Sequence, residues 1–232
     1  MNVELTILRR SDPSSAPWVQ RFTLELPEDA SVADALTALN ARTPLTDAEG
    51  KPAQPVGWQC SCMEQKCGAC AMRINGVPKL ACSTFLRALN GRAWLEPLSK
   101  FPVVRDLIVD RRAVFEQLTN AKAWLRGEAR QREDTHAPRY QSARCLMCGC
   151  CLEVCPNFHA RAPFGGAMAA VNDYRAMENE TDAASRAEKR RAYGKTYYSV
   201  CGGSLSCHDI CPIGIPVEEL MVRANRLYLR NK

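Results

Sequence analysis

The chain has 232 residues, with 13 cysteines and a formal net charge of +6. This length allows one or two domains and is too great for a small disulfide-stapled protein. We expect no transmembrane segment, because no run of 18 apolar residues occurs. The first residues also lack the basic-then-apolar order of a signal peptide. These features favour a reducing, cytoplasmic compartment, and so modest a positive charge requires no nucleic-acid partner.

Two alternating patterns near the N-terminus predict half-buried strands. The first runs from Val3 to Ile7 and the second from Phe22 to Leu26. Ser31 then predicts the N-cap of a short helix, because Asp34 stands three residues later as its capping-box partner.

A first group of four cysteines follows this helix: Cys62, Cys67, Cys70 and Cys82. The x4 and x2 spacing of the first three is that of plant-type ferredoxins, in which four cysteines hold a 2Fe-2S cluster. Residues 71–82 predict two short strands joined by a tight turn at Asn75-Gly76, and residues 93–97 predict a last strand. A strand pair, a helix, a cysteine loop and a hairpin in this order are typical of a β-grasp ferredoxin domain.

Helix-forming residues dominate the second half of the chain. Residues 104–130 are dense in helix formers, and they predict a helix that begins after Asp110 as its N-cap and has Leu125 on its apolar face. The charges of residues 174–192 are most simply a solvated helix face. Pro216 opens a last helix, whose outer face carries four basic residues: Arg223, Arg226, Arg230 and Lys232.

Two copies of one cysteine motif flank the charged stretch. Residues 145–156 have the C-x2-C-x2-C-x3-C-P spacing of two-cluster bacterial ferredoxins, and residues 201–212 repeat it with Ser204 at the second cysteine position. In such ferredoxins the fourth cysteine of each run ligates the other cluster. This exchange predicts a 4Fe-4S cluster held by four cysteines: Cys145, Cys148, Cys151 and Cys211. It leaves only three for the second cluster: Cys155, Cys201 and Cys207.

The missing fourth thiolate makes the last cluster a 3Fe-4S centre in our interpretation, since a serine oxygen is a poor ligand for cluster iron. Two alternatives must be weighed. A zinc ribbon would also use pairs of cysteines but does not explain the repeated Cys-Pro ending, and disulfides would need an oxidising compartment. Cys60 and Cys150 do not fit the ligand spacing, and we interpret them as small buried thiols near the clusters.

The combination of these motifs resembles the iron–sulfur subunit of the succinate dehydrogenase and fumarate reductase family. The matching stretches are residues 62–70, residues 75–82 and both later cysteine loops. The resemblance implies an α+β fold: an N-terminal β-grasp domain (residues 1–102), then an all-α domain (residues 103–232) like a two-cluster bacterial ferredoxin. It implies a relay subunit of an oxidoreductase that carries electrons and leaves the substrate chemistry to a partner.

The same resemblance implies partners and a location. A flavoprotein subunit with FAD would oxidise succinate or reduce fumarate, and a membrane anchor, in some cases with haem, would bind quinone on the cytoplasmic side of the cell membrane. The quinone pocket would include Pro156, Phe158 and His159. Relatives often carry tryptophan at position 159 and histidine at the position of Gly202. These departures leave an alternative open, the same relay in a related flavoenzyme complex with another substrate or a soluble acceptor.

Overall fold

The computed structural model describes residues 1–130 and 133–230. Lys232, which the sequence places on the outer face of the last helix, lies outside the described residues. The chain divides into two compact units, Met1–Asp110 and Arg111–Lys232.

The first unit contains a five-stranded sheet of order β2-β1-β5-β3-β4. Its strands are β1 (Asn2–Arg9), β2 (Trp18–Glu25), β3 (Ala71–Ile74), β4 (Val77–Leu80) and β5 (Arg92–Glu96). β1 pairs antiparallel with β2 and parallel with β5, and β3 pairs antiparallel with β4 and β5. The alternation read from the sequence is confirmed, since Val3, Leu5 and Ile7 are almost completely buried.

Helix α1 (Val32–Asn40) packs against β2 and against a short turn at Ala81–Ser83. The predicted capping box is present: the Ser31 hydroxyl accepts from the Asp34 amide, and the Asp34 carboxylate accepts from the Ser31 amide at 2.8 Å. The apolar residues of the helix, from Val32 to Leu39, face the core. A mixed sheet that carries one helix in this order confirms the β-grasp prediction.

The structure corrects the predicted helix over residues 104–130. Val103–Arg105 and Ile108–Val109 instead form a small antiparallel hairpin, β6 and β7. The helix that follows, α2 (Arg112–Asn120), begins after Arg111 rather than after Asp110 and ends well before Leu125, which is exposed. The hairpin forms in place of a helix because Asp106 adopts a left-handed backbone conformation at its turn. The buried Arg9 stabilises this turn by an ion pair with the Asp106 carboxylate.

The second unit is helical. Beyond α2 it contains α3 (His136–Ala143), α4 (Cys150–Glu153), α5 (Gly166–Asn179), α6 (Ala183–Tyr193) and α7 (Val217–Leu229). α5 is the central helix, because α2, α3, α4, α6 and α7 all pack against it. α7 starts directly after Pro216, as predicted. Within the described part of the chain, every helix is too short or too polar to cross a bilayer.

The charged stretch over residues 174–192 is also not the single solvated face that we predicted. The chain breaks between α5 and α6, and Asp182 caps α6 by accepting from the Ser185 amide. Glu180 and Lys189 are buried and form an ion pair at 2.9 Å, with the Ser185 hydroxyl donating to the same carboxylate. The Glu180–Lys189 pair therefore stabilises the connection between α5 and α6, because a buried charge is stable only with partners.

Candidate iron–sulfur sites

The first cysteine loop directs backbone amides at sulfur. The amides of Glu64 and Lys66 lie 3.4 and 3.2 Å from the Cys62 sulfur, and the Ala69 amide lies 3.4 Å from the Cys67 sulfur. Met63 and Gln65 have positive φ angles, which turns these amides inward. The amides lower the pKa of Cys62 to about 7, so the loop stabilises the thiolate that iron requires.

Hairpin β3–β4 brings the other two cysteines of this group together. Cys70 precedes β3 and Cys82 follows β4, and their sulfur atoms are 3.4 Å apart. Burial raises the pKa of Cys70 to about 12, so its thiolate needs a compensating positive charge. Cys60 is exposed, which corrects our interpretation of it as a buried thiol.

A second site lies in the helical unit. One apolar cavity is lined by all four cysteines predicted for the 4Fe-4S cluster: Cys145, Cys148, Cys151 and Cys211. Cys145 and Cys148 come from the loop before α4, Cys151 lies in α4 itself, and Cys211 comes from the loop before α7. Burial and the neighbouring thiols raise the pKa of Cys151 well above its ordinary value. Four thiolates in an apolar cavity would repel one another. A cofactor whose irons carry positive charge would compensate this repulsion, so the site fits an iron–sulfur cluster.

Other side chains stabilise charge at this second site. The Cys150 thiol donates a hydrogen bond to Cys148, and this bond, together with the nearby Arg111 guanidinium, lowers the pKa of Cys148 to about 7. Burial raises the pKa of Cys145, and the Asn172 side chain partly opposes this rise. Cys150 is fully buried, in agreement with the interpretation of it as a buried thiol. No sequence motif indicates Arg111 or Asn172, because helix packing brings them to this site from distant positions.

The third group consists of Cys155, Cys201 and Cys207. Burial raises the pKa of Cys207, and the nearby thiols of Cys155 and Cys201 raise it further. Ser204 lies in an exposed loop, where its hydroxyl is 3.3 Å from that of Ser206. Across residues 1–130 and 133–230, no group of three His, Cys, Asp or Glu side chains has the arrangement needed to hold a single metal ion.

Two family models match the chain. One is described as a 2Fe-2S iron-sulfur cluster binding domain and matches residues 4–116, and the other is a 4Fe-4S dicluster domain that matches residues 141–215. The chain is 32% identical over 235 residues to the succinate dehydrogenase iron-sulfur subunit of Bacillus subtilis (strain 168), covering 97% of this chain and 91% of that protein. The chain belongs to the succinate dehydrogenase and fumarate reductase iron–sulfur subunit family.

Other relatives agree with this family membership. The fumarate reductase iron-sulfur subunit of Escherichia coli O157:H7 is 31% identical over 185 residues, which cover 75% of this chain and 76% of that protein. A chain of the Mycobacterium smegmatis Sdh1 complex in the apo form has the same fold, with a TM-score of 0.76, 22% identity and coverage of 99% and 97%. The chain is therefore an iron–sulfur subunit of an oxidoreductase, with a 2Fe-2S domain followed by a 4Fe-4S dicluster domain.

The residues that the family resemblance assigns to a quinone pocket differ in exposure. Pro156 and His159 are exposed, whereas Phe158 is almost completely buried. Asn157 between them donates to the Val200 carbonyl at 2.7 Å. A Cβ at Gly202 would lie 3.2 Å from the Asn157 amide, so any side chain there would require Asn157 to shift slightly.

Proposed function

We propose that this chain relays single electrons between a flavin in a partner subunit and a quinone in a membrane anchor. The first station would be a 2Fe-2S cluster on Cys62, Cys67, Cys70 and Cys82. The second would be a 4Fe-4S cluster on Cys145, Cys148, Cys151 and Cys211. The last would be a 3Fe-4S cluster on Cys155, Cys201 and Cys207, beside a quinone pocket at Pro156, Phe158 and His159.

The convergence of two distant loops on one cavity carries this proposal. Cys211 lies about 60 residues after Cys151, yet both line the same apolar space with Cys145 and Cys148. Such an exchange of the fourth cysteine is the rule in two-cluster ferredoxins. The same exchange predicts Cys155 as the third ligand beside Cys201 and Cys207, whose thiols act on one another electrostatically.

The chain's own residues would hold and tune the clusters. Bound clusters would supply one-electron oxidation and reduction, which lets a two-electron flavin feed a carrier elsewhere. The amides of Glu64 and Lys66 stabilise charge on Cys62, and Arg111 does so near Cys148. The apolar wall around the second site excludes water and so sets the local dielectric.

The relatives' names support the partners that we propose. They are subunits of succinate dehydrogenases and fumarate reductases, so we infer a flavoprotein partner with FAD that acts on succinate or fumarate. We further infer a membrane-anchor partner with quinone, and with haem where the anchor carries it, on the cytoplasmic side of the cell membrane.

Purification of the tagged chain with its partners under anaerobic conditions tests this function. We expect a flavoprotein and a membrane protein to co-purify, and about nine irons per chain, the sum of 2Fe-2S, 4Fe-4S and 3Fe-4S clusters. Stoichiometric zinc with little iron would contradict the iron–sulfur assignment. Co-purification with a soluble acceptor in place of a membrane anchor would favour the alternative relay.

Two serine variants test the exchange of ligands between the loops. Cys211→Ser should damage the EPR signal of the reduced 4Fe-4S cluster, although residue 211 belongs to the second loop. Cys155→Ser is the matched control and should damage the oxidised 3Fe-4S signal instead. The opposite pairing of variant and signal would show that each loop holds its own cluster.

A further inference from the structure

Helix α7 places a methionine against one member of the third cysteine group. The Met221 sulfur lies 3.9 Å from the Cys207 sulfur, and Met221 is only 7% exposed. Three residues earlier in the same helix, a Glu218 carboxylate oxygen lies 2.9 Å from the His208 Nδ1 atom. Two successive residues of the second cysteine loop, Cys207 and His208, are therefore in contact with the first half of α7 through their side chains.

The core of the helical unit fixes the position of Met221. Its neighbours on α7, Leu220 and Ala224, are fully buried, and α7 packs along the central helix α5. A helix that is held on its buried face has little freedom to rotate, because interior side chains are closely packed. The contact between Met221 and Cys207 is therefore a feature of the folded unit and does not depend on a mobile loop alone.

The other two cysteines of the group are also brought together by a contact. Asn157 lies two residues after Cys155, and Val200 immediately precedes Cys201. The Asn157 side chain donates to the Val200 carbonyl at 2.7 Å, which ties the first cysteine loop to the second. A cluster on these three cysteines would thus have Met221 beside one of its sulfur ligands.

We propose that Met221 is a positioning residue that lowers the reduction potential of the cluster held by Cys155, Cys201 and Cys207. This inference rests on the proposed function, because it needs a cluster at those cysteines. One-electron reduction adds negative charge, and hydrogen bonds to sulfur and exposure to solvent stabilise that charge. A thioether has no proton to donate, and Met221 occupies space that water could take beside Cys207. The reduced form therefore lacks stabilisation on this side of the cluster.

The test is an EPR-monitored redox titration of the purified complex. Met221→Gln keeps the length of the side chain but places an amide, which can donate to sulfur, where the thioether stands. The equilibrium of the third cluster should shift about tenfold toward the reduced form, which raises its midpoint potential by about 59 mV. Met221→Leu keeps an apolar side chain of similar volume and should leave that potential unchanged. An unchanged or lowered potential in Met221→Gln, or an equal rise in Met221→Leu, overturns the proposal.

A second methionine controls for the general effect of a buried amide. Met177 is 2% exposed and lies on α5 in the same unit. Met177→Gln should lower the unfolding midpoint, because it buries a polar group, but should leave the third potential unchanged; an equal rise overturns the proposal. If Met221→Gln fails to assemble, Met221→Ala opens space for water beside Cys207 and should also raise the third potential. No rise in Met221→Ala then overturns the proposal.

The same titration of the wild type separates a failure of this inference from a failure of the proposed function. If only the 2Fe-2S and 4Fe-4S signals appear, the third cluster does not exist, and both the relay and the role of Met221 are refuted. If a second reduced 4Fe-4S signal replaces the oxidised 3Fe-4S signal, only the cluster type is wrong. The shift caused by Met221→Gln is then measured on that second 4Fe-4S cluster.

Discussion

Replacing Asp106 by alanine should destabilise the segment that leads to the first cysteine loop. Asp106 is 1% exposed and accepts from the Arg9 Nε at 2.9 Å, from the Arg10 amide at 3.0 Å and from the Gly57 amide at 2.7 Å. The Leu107 amide donates back to the Gly57 carbonyl at 3.0 Å. Asp106 therefore ties the β6–β7 turn to the end of β1 and to the residue from which the loop to Cys62 departs.

The loss of Asp106 leaves a buried guanidinium without its counter-charge. Removing one partner of a buried ion pair typically costs about 3–5 kcal/mol. Arg9 keeps the Gln20 side-chain oxygen and the carbonyls of Gln54 and Pro55 as neutral acceptors, so we expect the lower end, about 3 kcal/mol. At roughly 2–4 °C per kcal/mol for a chain of this size, the unfolding midpoint should fall by about 6–12 °C.

The assay is the loss of the visible 2Fe-2S circular dichroism on heating the complex. Glu49→Ala is the control, because Arg21 and Glu49 pair at 2.8 Å on the surface of the same unit with both side chains about half exposed. Water screens such a pair, so its removal should hardly move the midpoint. Equal midpoints for Asp106→Ala and Glu49→Ala would refute the role given to the buried pair.

Four further substitutions test other features. Ser204→Cys supplies a fourth thiolate and should convert the third cluster to 4Fe-4S, so its oxidised EPR signal should vanish; an undiminished signal would show that position 204 does not face the open corner. Cys60→Ser and Cys150→Ser should keep all three EPR signals, and loss of the 2Fe-2S signal in Cys60→Ser would mean that the ligand assignment is wrong. Asp173 is buried, with no hydrogen-bond partner for either carboxylate oxygen in the described structure, and burial raises its pKa well above 3.8. Its neutral form is the stable one, so folding stability is lost as pH rises from about 4 toward that raised pKa. Asp173→Asn should remove this loss, so the gap in unfolding midpoint over the wild type should widen as pH rises above about 4; a gap that is independent of pH would contradict the raised pKa.

Local signals in the sequence were sufficient to predict much of the fold of the first unit. The Ser31 and Asp34 side chains cap α1 within four residues of each other, and Asn75-Gly76 adopts the positive φ angles of a tight hairpin turn. Both signals act over short chain distances, so the rest of the fold does not have to be known. The cysteine spacing predicts ligands for the same reason, because three of the predicted ligands lie on one loop.

Predictions failed where distant residues decide the structure. Residues 104–130 contain many helix formers, yet Arg9 holds Asp106 in a turn and the hairpin takes the first part of that stretch. Glu180 and Lys189 looked like surface charges because their pairing depends on the corner between α5 and α6. No periodicity in the sequence indicates the π-turn at Gly194–Tyr198, which leads into the third cysteine group. In each case tertiary contacts override local preference.

The cavity shared by the two later loops has a consequence for the maturation of the protein. Cys211 belongs to the second loop yet lines the cavity of the first, and on the proposed ligand sets Cys155 crosses in the other direction. Neither site is complete until the chain between the loops has folded. On those sets, bound iron would constrain a segment of about 60 residues, much as a disulfide closes a long loop and restricts the unfolded chain. On those ligand sets, cluster insertion and folding of this unit would depend on each other.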